Sequence, residues 1–157
     1  MESQSGGLSA ALRDHERVAL DTAPLIYFIE GIAGRWEPVR ALLRDGAAKR
    51  VHLFTSVVTE AEMLVGPLRH GKREAAGVIR ELFGSTGGPR LVDLTRSVAW
   101  KASELRAERG LTLPDAVVVA SALDAECSAL VGNDAAFRRV GDVIAYMHLD
   151  DFVEIPS

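Results

Sequence analysis

The sequence holds one cysteine, Cys127, so no disulfide can form within the chain, and a small fold stapled by cross-links is excluded. No apolar run reaches the roughly 18–20 residues needed to cross a bilayer. The opening MESQSGGLSAALRDHERV lacks the uninterrupted apolar stretch of a secretory signal. Together these absences lead to the expectation of a protein of the reducing cytoplasm that makes no membrane contact. Positive charge is not in excess either: 18 Lys and Arg stand against 22 Asp and Glu, a formal net charge of -4, whereas nucleic-acid binders are usually basic. His15, His52, His70 and His148 are scattered, and none pairs with another at His-x-x-x-His spacing, which argues against zinc chemistry. There is no Gly-x-Ser-x-Gly elbow, no P-loop and no Gly-x-Gly-x-x-Gly. Cys127 sits in an apolar, alanine-rich stretch with no histidine near it in sequence, and reads as a buried structural thiol.

What is present is the material of one globular domain. The chain has 157 residues, 48% apolar and 25% charged, enough for a single sizeable core. Residues 1–16 are polar, small and then charged, and are expected to form a flexible or loosely helical extension. The ordered domain is expected over 17–157. Val18-Ala19-Leu20, Val51-His52-Leu53-Phe54, Leu91-Val92-Asp93-Leu94 and Ala129-Leu130-Val131 are short apolar runs of the kind that buried parallel strands show, and residues 143–149 supply a fifth. Between them, apolar spacing predicts helices over 36–49, from about 56 to the stop signal Gly66-Pro67, over 72–83, through Val98, Ala102 and Leu105 to a close at Gly110, and over 114–126. This is the rhythm of an α/β domain with a mostly parallel sheet.

In such sheets ligands gather beyond the carboxyl ends of the strands. Asp21 follows the first run directly, and Asp134 lies two residues past Gly132, where the fourth run ends. Glu62 falls early in the helix after the second run, and Asp115 opens a helix. All four can face one sheet edge. Grouped carboxylates repel one another and stay ionised together only with cations among them. Hard ions such as Mg²⁺ and Mn²⁺ suit an all-oxygen site. Taken singly, each acid has a plainer explanation. Asp21 could cap a helix after the strand. Thr59-x-x-Glu62 has the pattern of a capping box. Asp115 after Pro114 could complement a helix N-terminus, and Asn133-Asp134 could make a turn. Only the joint placement turns them into a candidate site.

Four stretches extend that reading: VALDTAPLIYFIEG, TSVVTEAEMLVGP, LRAERGLTLPDAVVVASAL and ALVGNDAAF. In this order and rhythm the chain resembles PIN-domain ribonucleases, most of all the VapC-type toxins of bacterial toxin–antitoxin pairs, from about Arg17 to about Val153. The second stretch resembles the family's S-x-x-T-x-x-E-x-x-x-G segment, which assigns the acid role to Glu62 and not to Glu60. The resemblance implies a three-layer α/β/α domain with a five-stranded parallel sheet in the order 3-2-1-4-5. It implies an endoribonuclease dependent on Mg²⁺ or Mn²⁺. Asp21, Glu62 and Asp115 would be the principal metal ligands, and Asp134 a ligand or the holder of a bound water. Thr22 would orient a site carboxylate or water through its hydroxyl. It also implies a homodimer neutralised by a small antitoxin whose tail crosses the toxin near the site, with the grooves beside helices 36–49 and 56–70 as candidate contacts. Two positions depart from the pattern: Ala23 stands where Ser or Asn is common, and Gly132 where Thr or Ser is common. Each removes a hydrogen-bonding side chain near the proposed site. The segment before Arg17 is longer than the family usually carries.

Other features carry less. Arg35, Arg40, Arg44, Lys49 and Arg50 form one basic cluster, and Arg69, His70, Lys72 and Arg73 a second, whereas the last stretch is acidic, with Asp142, Asp150, Asp151 and Glu154. Each run reads alone as a solvated face, and jointly as a basic rim able to hold phosphates. Trp36 and Trp100 are expected in core or interface packing. Glu60 and Asp93 are extra acids near strand ends, expected to be solvated or capping. Two other classes compete with the nuclease reading. A PIN-like module that binds RNA or protein without cutting would be favoured by the loss of a core acid, and none is lost. A response-regulator receiver would need adjacent acids after the first strand and a lysine after the last, and no lysine follows Lys101.

Overall fold

The structure, a computed structural model, describes residues 5–153. Its strands are β1 (Arg17–Leu20), β2 (His52–Ser56), β3 (Arg90–Val92), β4 (Ala129–Gly132) and β5 (Ala145–His148). All pair in parallel in the order β3-β2-β1-β4-β5, the order expected. The helices are α1 (Ser5–Ala11), α2 (Thr22–Glu30), α3 (Trp36–Ala47), α4 (Val57–Arg69), α5 (Arg73–Gly84), α6 (Arg96–Arg109) and α7 (Leu113–Asp124). Short 3₁₀ turns cover Ala135–Val140 and Leu149–Phe152.

Side chains alternate across the sheet and divide the core in two. Val18, Leu20, Leu53, Ala129 and Val131 face one layer with Leu25 of α2, Val39 and Leu42 of α3, Met63 of α4 and Ile79 of α5. Ala19, Phe54 and Leu130 face the other, with α6, α7 and Phe137. The central strands β1 and β4 are therefore apolar on both faces, which is why their sequences run continuously and do not alternate. In α7 every residue from Ala116 to Ala122 is buried. Val117-Val118-Val119 would locally favour a strand, but Thr112 caps the helix by accepting from the Asp115 N–H, Pro114 suits its first turn, and enclosure on all sides outweighs propensity. The sequence announces α2 only through Asp21 before it and Gly31 after it, the latter in the left-handed region at φ 65°. The stop signal at Gly66-Pro67 acts late, since α4 continues to Arg69.

The amino-terminal expectation needs correction. Within the 1–16 segment, read as a flexible or loosely helical extension, residues 5–11 form α1, and that helix belongs to the core. Leu8 is fully buried and Leu12 is 3% exposed, beside Val39, Leu42 and Leu149. Their four-residue spacing puts both on one helix face, a stripe too short to stand out among glycines and serines. Residues 1–4, and Glu154 of the acidic stretch, lie outside the described residues. Among the described residues no helix is long and apolar enough to cross a membrane. Cys127 is buried, and burial pushes its thiol up to about 12, with the Arg17 charge pulling weakly the other way.

Two outcomes follow. Leu8→Ala should lower stability by about 2–5 kcal/mol in urea unfolding, whereas truncation in a loose extension would change it by less than about 0.5 kcal/mol. Cys127 should resist a thiol reagent at pH 8 until denaturant is added.

Candidate metal centre

The site begins with the backbone at the end of β1. The Asp21 N–H donates to the Val131 carbonyl at 2.9 Å, and the Thr55 hydroxyl donates to the Leu20 carbonyl at 2.8 Å. Asp21 is thus pinned between the ends of β2 and β4. It occupies the N-cap position of α2, yet its side chain makes no capping bond. The carboxylate is free for another task, and only 8% exposed.

The capping explanation for Glu62 also fails. The cap of α4 is Ser56, whose hydroxyl accepts from the Val58 N–H at 3.1 Å. Thr59 lies inside the helix, buried, with its hydroxyl 3.1 Å from that of Thr22. No Thr59–Glu62 capping box forms. In α7 the cap is Thr112, whose hydroxyl takes the Asp115 N–H at 3.4 Å, and Asp115 stands in the first turn, where its charge also complements the helix N-terminus. Asp134 is the exception: its Oδ1 accepts from the Ala136 N–H at 2.8 Å and caps the turn Ala135–Val140, which leaves Oδ2 outside that bond.

All four acids line one open cavity of about 420 Å³ with Thr22 and Asn133. Burial raises the Asp21 carboxyl to about 7, the Thr22 backbone opposes this, and Asp115, Glu62 and Asp134 push further upward. Glu62 is raised by burial and by Asp115, while a hydrogen bond from Thr22 pulls it down. Asp115 is raised by burial and by Asp134, against the Thr112 hydrogen bond. No protein cation relieves this charge: the ion pairs found among the described residues, Arg35–Asp150, Arg50–Asp45, Arg109–Asp142 and Arg138–Asp151, leave the four acids out. An oxygen-only donor set with a buried, uncompensated carboxylate fits a hard divalent ion. The carboxylates share a cavity without being preassembled, since no three His, Cys, Asp or Glu side chains among the described residues stand together as a ready ligand set.

Glu60 and Asp93 do not line the cavity. Arg35 is engaged with Asp150, and the Arg40 guanidinium lies 5.5 Å from the Trp36 ring centroid, so part of the first basic cluster is structural. Trp100 is 73% exposed and is not a core residue. His70 and Lys72 of the second cluster border a neighbouring cavity of about 590 Å³ between α2, α4 and α5, which is mainly apolar and shares Ile26 and Glu62 with the acidic one. Asn133 is an addition to the expected set. Its amide donates to the Tyr27 hydroxyl at 3.2 Å, and its Oδ1 accepts from the Asp150 N–H at 3.0 Å. Adjacency to Asp134 was its only sequence signal.

The acids stand beyond the carboxyl ends of the strands, where open parallel sheets gather ligands, and the family can be stated: the chain belongs to the PIN-domain family, whose model matches residues 18–143. Among solved structures it is similar to VapBC2 from Rickettsia felis bound to a DNA fragment from their promoter, at TM-score 0.63 and 19% identity, covering 84% of this chain and 98% of that one. It is similar to VapBC-1 from nontypeable Haemophilus influenzae, at 0.61 and 15%, covering 85% and 98%. A toxin–antitoxin complex from Klebsiella pneumoniae matches at 0.60 and 19%, covering 83% and 95%. No curated protein matches the sequence.

The raised Asp21 carboxyl has a signed consequence for stability. Its folded value of about 7 exceeds the unfolded value of about 3.9, so the folded chain binds more protons between them. In chelator, stability should therefore fall as pH rises from about 4 to about 7. Asp21→Asn removes this loss. In urea unfolding at pH 8 with chelator, Asp21→Asn should be the more stable protein by up to a few kcal/mol, roughly 1.4 kcal/mol for each unit of the shift, with the gap closing near pH 4. Equal stability at pH 8 would show that Asp21 is not strained.

Proposed function

We propose that this chain is a divalent-metal-dependent endoribonuclease of VapC type that hydrolyses RNA phosphodiester bonds as the toxin of a toxin–antitoxin pair. The observation that carries this reading is the gathering of Asp21, Glu62, Asp115 and Asp134 around one cavity with no protein cation among them. Family membership supports nuclease chemistry, and the likeness to VapBC complexes supports the pairing. Mg²⁺ or Mn²⁺ is the cofactor this donor set suits. When bound, the ion supplies the charge that activates a water for in-line attack and offsets charge on the leaving oxygen.

The residues have separable roles. Asp21, Glu62 and Asp115 hold the ion. Asp21 is the fixed member, locked by its backbone and by burial. Glu62 is steered by Thr22, which is itself tied to Thr59. The free oxygen of Asp134 ligates the ion or holds the attacking water. His70 and Lys72 border the neighbouring cavity, and with Arg69 and Arg73 beside them in sequence they draw phosphates toward an acidic centre that would otherwise repel them. The antitoxin covers the apolar cavity between α2, α4 and α5, where Val78 is 52% exposed, beside helix α4. Homodimer formation would cover exposed apolar side chains such as Trp100. Such a pair acts in the cytoplasm.

The test is cleavage of looped, single-stranded RNA in Mg²⁺ or Mn²⁺. Asp21→Asn and Asp115→Asn should each reduce cleavage by more than the roughly 10–100-fold that outer partners of a metal usually cost, with the circular dichroism spectrum unchanged. Excess chelator should stop the parent enzyme. Cleavage at the parent rate by both variants, or in chelator, overturns the mechanism. Co-expression with the product of the adjacent reading frame should give a complex that no longer cuts.

A further inference from the structure

Tyr146 reaches Asp134, which lines the acidic cavity, from a strand that contributes no carboxylate to it. In the β4–β5 pairing Leu130 lies opposite Tyr146 and Gly132 opposite His148, so these four residues share a sheet face. Gly132 carries no side chain there, and a Cβ would lie 3.3 Å from Tyr146 Cε1 and 3.3 Å from Phe137 Cδ2. The two rings, with centroids 5.5 Å apart, fill the space that a side chain at 132 would take. Across this gap the Tyr146 hydroxyl donates to the main-chain carbonyl of Asp134 at 2.8 Å. It also lies 2.9 Å from His148 Nδ1. The phenol has one proton and gives it to Asp134, so His148 is the donor in the second bond, with its proton on Nδ1. Burial holds the phenol well above its ordinary range, and the nearby Asp21 and Asp134 carboxylates push the same way. It stays a donor at any working pH.

Asp134 needs such a restraint more than the other acids do. It is exposed, unlike Asp21. Its Oδ1 is committed to the Ala136 N–H, and its neighbour Asn133 is held by Tyr27 and Asp150. With the carbonyl fixed as well, the direction of the remaining oxygen is set toward the cavity that Asp134 lines.

We infer that Tyr146 is a positioning residue: through the Asp134 carbonyl it aims the Asp134 carboxylate into the cation site, and Gly132 lets the ring sit close against β4. The inference rests on the metal reading proposed above. It gives β5 a part in the site, and it identifies a hydroxyl that serves the site although position 132 supplies none.

The experiment follows Mn²⁺ binding by the metal-induced rise in melting temperature, with no RNA present, for the parent, Tyr146→Phe, Asp134→Asn and the double variant. Tyr146→Phe keeps the ring and removes the donor, and it should raise the half-saturating Mn²⁺ concentration roughly 10-fold, the low end of what lost outer partners of a metal cost. In the Asp134→Asn background the same change should shift it no further, because the partner it acts through is gone. Gly132→Ala, which presses a Cβ against the ring, should weaken Mn²⁺ binding in the same direction and serves if Tyr146→Phe folds poorly. An unchanged Mn²⁺ midpoint in Tyr146→Phe overturns the inference, and so does an equal shift with and without Asp134. A parent that responds to Mn²⁺ as described but cuts no RNA overturns the nuclease reading and leaves the positioning role supported. A parent with no Mn²⁺ response overturns the metal reading, and this inference with it.

Discussion

A carboxylate buried without a counter-charge is among the least favourable groups a domain can contain, and Asp21 is such a group. Its backbone is tied to β4 through Val131 and its strand to β2 through Thr55, so it cannot swing out to water without breaking the middle of the sheet. Three further acids then face it from three different segments. Helix α4 brings Glu62 with Thr22 beside it, α7 brings Asp115, and the loop after β4 brings Asp134. For Glu62 and Asp115 the caps are other residues, Ser56 in α4 and Thr112 in α7, whereas Asp134 spends one oxygen on its own turn. The capping hydroxyls release the carboxylates, and the sheet edge concentrates them. Stability is given up at this edge and recovered in the apolar layers on either side.

Much of the fold was legible because the signals were local. The five apolar runs and the helix punctuation at Gly110 and Pro114 mark the parallel sheet and most of its helices, and the resemblance supplies the strand order found. The elements that were hard to read depend on distant partners. Leu8 and Leu12 of α1 give too short a stripe to suggest burial, and their burial comes from α3 and the turn Leu149–Phe152, far along the chain. The valine run of α7 points locally to a strand and becomes a helix because it is enclosed. Helix α2 lies immediately after β1 with only Asp21 and Gly31 as punctuation.

The site divides in the same way. Asp21, Glu62, Asp115 and Asp134 could be named from spacing and surrounding motif, and the structure brings all four to one cavity. The choice of Glu62 over Glu60 came from the resemblance of the surrounding segment, and Glu62 lines the cavity while Glu60 does not. What supports the acids was less visible. Asn133, Tyr27 and the Arg35–Asp150 pair connect through space. Tyr146 reaches Asp134 only because β5 pairs with β4 in one register, and no local pattern encodes a register.

The strand order has a consequence in time. β1 pairs on one side with β2 and on the other with β4, where Val18 meets Ala129. That second pairing closes a loop of more than a hundred residues, and contacts so distant in sequence form late and slowly. Until it closes, Asp21 lacks the Val131 carbonyl that pins it, and Asp134 is not yet beside it. A nascent or partly folded chain therefore holds its acids apart, dispersed in water and without the electrostatic strain that defines the finished edge. The concentration of negative charge is the last feature the domain acquires, and by the same logic the first it loses when the sheet opens.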